Sequence, residues 1–374
     1  MPTSSICQWW TQPTTLVYYL KMDTYSIKEI ITLEKMARSK NKEYREFAKN
    51  KLTELGVEEK TKQKVDIHRM AQLGLLDKLP KEFLSAQSLL VEDSKGNTVI
   101  HIAAAYGHLD QIHHKFLTAE NLTKRNNANQ SVFHVANLNQ VPKELITAEN
   151  LLTTNESGQT VFHVAADAEE PAYGLAQIPT ELLTSENLLK VDNAGWTVFQ
   201  TAATFGNLDQ IPKELLTATN LSRVHKKGDK TVFHIAAECG TLAQLPQELL
   251  TEEHLMKPDH DGNTALHHAA YMGCLNQIPS PLLTEANMLK KNKGGRTVFS
   301  LAFNPRYCIE LSDLDPLLGI EVSEKVRKIA KQESKHTNGV ALEWYNKNKV
   351  LCEELKKTKE ALSKAEPQLE LETF

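Results

Sequence analysis

Thr264-Ala-Leu-His-His-Ala-Ala-Tyr-Met-Gly273 is the stretch on which the reading of this chain turns. Its opening four residues recur as Thr98-Val-Ile-His101, Ser131-Val-Phe-His134, Thr160-Val-Phe-His163, Thr197-Val-Phe-Gln200, Thr231-Val-Phe-His234 and Thr297-Val-Phe-Ser300. From Thr98 onward the spacings are 33, 29, 37, 34, 33 and 33 residues, and Val65-Asp-Ile-His68 is a worn copy one period upstream. The short and long intervals average to the common period, so a deletion is followed by a matching insertion. A period of this length marks an array of small units, each unable to bury its apolar face alone and therefore obliged to stack on its neighbours.

A second signature follows in register. It runs Leu76–Leu84, Leu109–Leu117, Leu138–Ile146, Leu175–Leu183, Leu208–Leu216, Leu242–Leu250 and Leu275–Leu283, and most copies are trailed by Thr-x-Glu-Asn-Leu, as at Thr147–Leu151. A threonine at that point can cap a helix by accepting from its first free amides. Paired alanines (Ala103-Ala104, Ala165-Ala166, Ala202-Ala203, Ala236-Ala237, Ala269-Ala270) allow close helix approach, with Ile100, Phe133, Phe162, Phe199, Phe233, Leu266 and Phe299 as the large knob of each layer. Glycines after the first helix (Gly107, Gly206, Gly240, Gly273) suit a left-handed helix stop. The early prolines of the second signature (Pro80, Pro142, Pro179, Pro212, Pro246, Pro279) are compatible only with a first helical turn, which predicts a late-starting second helix.

The period and the first signature resemble the ankyrin repeat, with its Thr-Pro-Leu-His-x-Ala-Ala pattern, glycine, second helix and turn. Thr264–Ala270 with Gly273, and Thr98–Ala104 with Gly107, carry the resemblance, together with the turns Asp93-x-x-Gly96, Asn155-x-x-Gly158, Asp192-x-x-Gly195, Asp259-x-x-Gly262 and Asn292-x-x-Gly295. Valine stands where the pattern has proline in most copies, and the second helix is shorter than usual. The resemblance spans residues 65–310. It implies an all-α, ankyrin-like helical-hairpin solenoid of about eight repeats, with helical N- and C-terminal caps over 22–64 and 311–374. Residues 1–21, uncharged as far as Leu20, are expected to be a disordered or spurious leader.

The repeated histidines, His101, His134, His163, His234 and His267, invite a metal-binding reading. Ligands of one ion must converge on a point, whereas stacked repeats hold these rings a layer apart. Gln200 and Ser300 substitute in register, which suits a hydrogen-bonding structural role. The sequence contains no phosphate loop, nucleophile elbow or zinc-protease signature, and the reading assigns no catalytic residue, cofactor or metal.

The 374 residues are 41% hydrophobic and 24% charged, with a net charge of −4. That balance excludes a wholly disordered chain and gives no drive toward nucleic acid. No apolar run is long enough to span a bilayer. Five scattered cysteines without a CxxC pair favour a reducing compartment, expected to be cytoplasmic.

Ankyrin-like proteins bind protein partners through turn tips and a concave helix face, so the resemblance implies a non-enzymatic interaction scaffold with its working residues there. The tip candidates are Trp196, Lys226, Lys227, Lys230 and Arg296, and the helix-face candidates are Tyr106, Phe205 and Tyr271. The acidic insertion adds Asp167, Glu169, Glu170 and Tyr173, either as a recognition loop or as a patch for a slipped register. Trp196 has two readings, a hot spot or packing on the next tip. An exported bacterial effector that engages a host protein in the host cytosol, or a targeting arm for an enzyme or toxin seated in the termini, is the alternative.

Overall fold

A computed structural model describes residues 66–79, 81–169, 173–224, 228–302, 324–333 and 340–369, with a few isolated positions between 42 and 51. The leader at 1–21, nearly all of the expected N-terminal cap, Glu170, Lys226 and Lys227 lie outside the described residues. The chain divides into two compact units, Met1–Asn127 and Ala128–Phe374. Both are all-α and ankyrin-like in plan. Among the described residues, extended pairing is limited to four isolated bridges, each joining the two sides of a turn: Glu92 to Thr98, Thr154 to Thr160, Val191 to Thr197 and Lys291 to Thr297.

In the N-terminal unit the first helices of two repeats, Ile67–Gln72 and Val99–Ala105, pack side by side. In the C-terminal unit Val161–Ala166, Val198–Phe205, Val232–Cys239, Ala265–Met272 and Val298–Ala302 pack each on the next. Threonine opens five of these helices because its hydroxyl and the residue three positions on form a reciprocal capping box, closed by His101, His163, Gln200, His234 and His267. Left-handed glycines end three of them, with φ of 77° at Gly206, 72° at Gly240 and 75° at Gly273. The alanine pairs and the phenylalanine knobs Phe133, Phe162, Phe199, Phe233 and Phe299 are buried.

The four-residue deletion after His134 removes the body of one first helix. Val132–His134 is a single 3-10 turn, yet Ser131 and His134 still form the capping box, with Ser131 Oγ 2.9 Å from His134 Nδ1.

The second half of each repeat departs from the expected late-starting helix. In place of one helix stand two three-residue 3-10 turns and a four-residue helix, as in Leu208–Gln210, Lys213–Leu215 and Ala218–Leu221. The cause is local. Pro212 takes φ −51° and ψ 130°, and Ile211 before it is held extended, so helical hydrogen bonding stops on one side of the proline and restarts on the other. The threonine then starts a new helix: Thr217 accepts from the Asn220 amide, and Asn220 Nδ2 donates back to the Leu215 carbonyl. The leucine after that asparagine is buried, as at Leu122, Leu151, Leu188 and Leu221.

Beyond the last repeat, Glu324–Glu333 packs on Val298–Ala302, and Val340–Leu369 packs on Glu324–Glu333. Trp344 is buried and meets Phe299 edge-on at 5.2 Å between ring centroids. Ala341, Tyr345 and Asn348 are buried beside it, whereas Val350, two residues further on, is exposed. The first turns of this long helix thus cover the apolar end of the stack.

Candidate functional site

Residues shared by the repeats and residues peculiar to one repeat have separate fates. The histidines belong to the first class. His234 Nδ1 lies 2.8 Å from Thr231 Oγ1 and takes the Thr231 amide at 3.1 Å, while Nε2 reaches the Lys257 carbonyl at 2.8 Å. An amide on one nitrogen and a carbonyl on the other fix the neutral ring with its proton on Nε2. His267 repeats the arrangement with Thr264 and the Lys290 carbonyl, and His163 with Thr160 and the Trp196 carbonyl. Burial pushes His234 and His267 down to about 4, against the opposing pull of their carbonyl partners, and lowers His163 below the usual histidine value. Gln200 reproduces the same two-sided contact: Oε1 accepts from the Thr197 amide and Nε2 donates to the Lys230 carbonyl. Ser300 keeps the near side, accepting from the Thr297 amide.

A glutamine ladder joins the histidines. Gln111 Oε1 accepts from the Leu76 amide while Nε2 donates to the Gly74 carbonyl. Gln244 and Gln277 donate likewise to Gly206 and Gly240, the glycines that end the preceding repeat's helix. These glutamines recur in the sequence as the third residue of Leu-x-Gln. The signal that marks them is a polar side chain held at one register between two core positions.

At the turn tips the backbone itself stacks. The Asn193 amide donates to the Ser157 carbonyl and the Lys293 amide to the Asp261 carbonyl. Gly158 must be glycine, because a Cβ there would stand 2.7 Å from the Asn193 backbone nitrogen and its φ is 74°.

The candidates peculiar to single repeats fall into two rows. Trp196, Lys230 and Arg296 each precede the capping threonine and form the tip row. Within the C-terminal unit Phe205 closes its helix at the opposite end, and Tyr271, Asp167 and Glu169 lie at that end too; in the N-terminal unit Tyr106 closes its own helix. An eight-residue helix separates the rows by about 12 Å. Tyr106 is 50% exposed, its hydroxyl taking the Gln72 Nε2 donor, and Phe205 is 51% exposed. Arg296 and Glu169 are exposed, while Tyr173 and Tyr271 are half-buried.

Trp196 is half-buried, its amide donating to Asp192 and its carbonyl bound by His163. Its backbone is part of the turn whatever its ring does. Lys230 folds along its own helix to Glu238 at 2.6 Å, so the described part of the basic tip is internally neutralised. Asp167 is half-buried; burial, with Glu169 adding to it, pushes its carboxyl up. Asn207 Nδ2 donates to the Ala166 and Ala168 carbonyls at 3.0 and 3.1 Å, tying the start of the insertion to the following repeat.

Among the described residues, no group of three or more His, Cys, Asp and Glu side chains is placed to hold a metal ion, and no helix is long and apolar enough to cross a membrane.

No protein-family model matches the chain, and no curated protein matches it. Among solved structures, the ankyrin repeat domain of Bcl-3, of the IkappaB protein family, is similar at 22% identity and a TM-score of 0.42, over 57% of this chain and 98% of that one. A chain from the Bd0816 predatory endopeptidase of Bdellovibrio bacteriovorus in complex with the immunity protein Bd3460 is similar at 24% identity and a TM-score of 0.36, over 48% of this chain and 93% of that one. The capping boxes, left-handed glycines and stacked tips of the chain itself are what make its repeats ankyrin-like.

Proposed function

We propose that this chain is a non-catalytic scaffold that holds a protein partner along the exposed side of its first helices, between the tip row and the helix-end row. One observation carries the reading: Phe205 is 51% exposed on the same helix whose Phe199 is fully buried. About half of this large apolar side chain therefore stays outside the stack. At a partner's surface it buries much area at little entropic cost. The residues shared by all repeats are engaged in holding the array together, which leaves repeat-specific side chains to distinguish one partner from another. A reducing, cytoplasmic setting suits the free thiols of Cys239 and Cys274.

The test is affinity capture with the full chain, followed by mass spectrometry, run in parallel with Phe205→Ser. A partner captured by the native chain and lost from the variant, with the melting curve unchanged, supports the reading. Identical capture by both chains sinks it.

A further inference from the structure

We propose that Cys239 and Cys274 form a redox modification site, a dithiol that a small-molecule disulfide converts into a disulfide bond between adjacent repeats. This goes beyond the scaffold reading and does not depend on it.

In this array the side chain that follows the helix-ending glycine reaches back to the preceding repeat. The His108 ring lies against Gly74, Asn207 donates to the Ala166 carbonyl, and Thr241 Oγ1 donates to the Ala203 carbonyl at 2.8 Å. Cys274 is the next member of this series. Its Sγ stands 3.1 Å from where a Cβ on Gly240 would lie, and Gly240 directly follows Cys239. Its hydrogen bond, 3.6 Å to the Met272 carbonyl, stays within its own repeat, unlike those of Asn207 and Thr241. Cys239 is exposed and ends its helix at the register where neighbouring repeats carry Phe205 and Met272. A small, open thiol therefore replaces a bulky side chain beside the point that the following repeat's thiol touches. Both cysteines are free.

The exchange balances as two successive displacements. The Cys239 thiolate attacks one sulfur of the reagent disulfide, forming a mixed disulfide and expelling a thiolate. The Cys274 thiolate then attacks the Cys239 sulfur and expels the second thiolate. The protein pair is oxidised by two electrons, the reagent is reduced, and the two thiol protons end on the released thiols. Partial burial pushes both thiols up, with Glu238 and then Cys274 adding to the effect at Cys239. The pair therefore reacts slowly near neutrality and faster as the pH rises.

The test incubates the full chain with glutathione disulfide at pH 7 and pH 8.5 and maps the peptides without reduction. The expected product is a Cys239–Cys274 linked pair that forms faster at the higher pH. It raises the melting temperature by about 3–8 °C and is reversed by dithiothreitol. Cys274→Ser should stop at a glutathione adduct on Cys239, with no thermal shift. Single adducts only in the native chain, or a bond from either thiol to Cys7, Cys308 or Cys352, would overturn the proposal.

Discussion

Asp259 accepts from His268 Nε2 at 2.9 Å on one carboxylate oxygen, while its other oxygen takes the amides of Asp261 and Asn263 at 2.9 and 2.8 Å. Its side chain is 2% exposed, so the contact joins a helix to the turn before it almost out of reach of water. Five other repeats carry an apolar residue at the His268 register (Ile102, Val135, Val164, Ile235 and Leu301), which makes this contact a property of one repeat. Although burial opposes ionisation, the bond from His268 and the turn amides hold the Asp259 carboxyl below its usual value.

Replacing Asp259 should separate its two roles. Asp259→Ala removes the hydrogen bond from His268 and both turn bonds, and is expected to cost about 2–3 kcal/mol in denaturant unfolding. Asp259→Asn keeps the turn, since Asn155 accepts from Ser157 and Gln159 amides in just this way, and should cost about 1 kcal/mol. Equal losses for the two variants would assign the whole effect to His268.

The histidine row predicts a substitution pattern that a metal site would not show. His234→Ala leaves the Thr231 amide and the Lys257 carbonyl unsatisfied and should lower stability by about 2–3 kcal/mol. His234→Gln should recover more than half of that, because Gln200 already performs the task in the neighbouring repeat. Adding a chelator should leave the melting curves of both variants in place, and a chelator-sensitive transition would contradict the structural role.

The acid side of the stability curve should be governed by the same rings. His234 and His267 titrate near 4 in the folded chain and His163 below its usual value, whereas the unfolded chain binds those protons near 6.5. Between those values the unfolded state holds more protons, so stability is present in full above about 6.5 and is lost as the pH falls toward about 4. Melting temperatures measured from pH 7.5 to 4 should fall through that window, and His234→Gln should flatten the slope. A curve that stays level down to pH 4.5 would contradict this assignment.

At the exposed rows, Phe205→Ala is expected to weaken partner capture at least tenfold while leaving thermal stability within about 0.5 kcal/mol of the native chain. Trp196→Ala preserves the backbone bonds of its turn and should also weaken capture, which separates a ring that meets the partner from one that packs on the next tip. Capture that survives both changes and disappears on removing residues 311–374 would place the working surface in the C-terminal segment.

The first half of each repeat was legible because its chemistry is compressed into seven residues: Thr264 and His267 close a cap, and Ala269 and Ala270 admit the neighbouring helix. The second half was not, because Pro212 was read as the first turn of one helix when it separates two short turns. The sequence allowed the candidate residues to be named one by one, but not their arrangement. Asp167 and Trp196 are near neighbours in the repeat listing of the chain yet stand at opposite ends of their helices, and the neutralising partner of Lys230 lies eight residues away at Glu238. Contacts of that kind follow from helix direction and side-chain reach, which no count of spacings contains.

The glutamine ladder gives the chain a temporal polarity. Gln244 completes the helix that ends at Gly206, Gln277 the one that ends at Gly240, and Lys257 supplies the carbonyl for His234, so every finishing contact comes from sequence further toward the C-terminus. A chain emerging from the ribosome therefore carries its newest repeat unfinished, with helix-end carbonyls and one ring nitrogen open until roughly another period has been synthesised. The closing layer has no following repeat to wait for, and its Phe299 is met instead by Trp344.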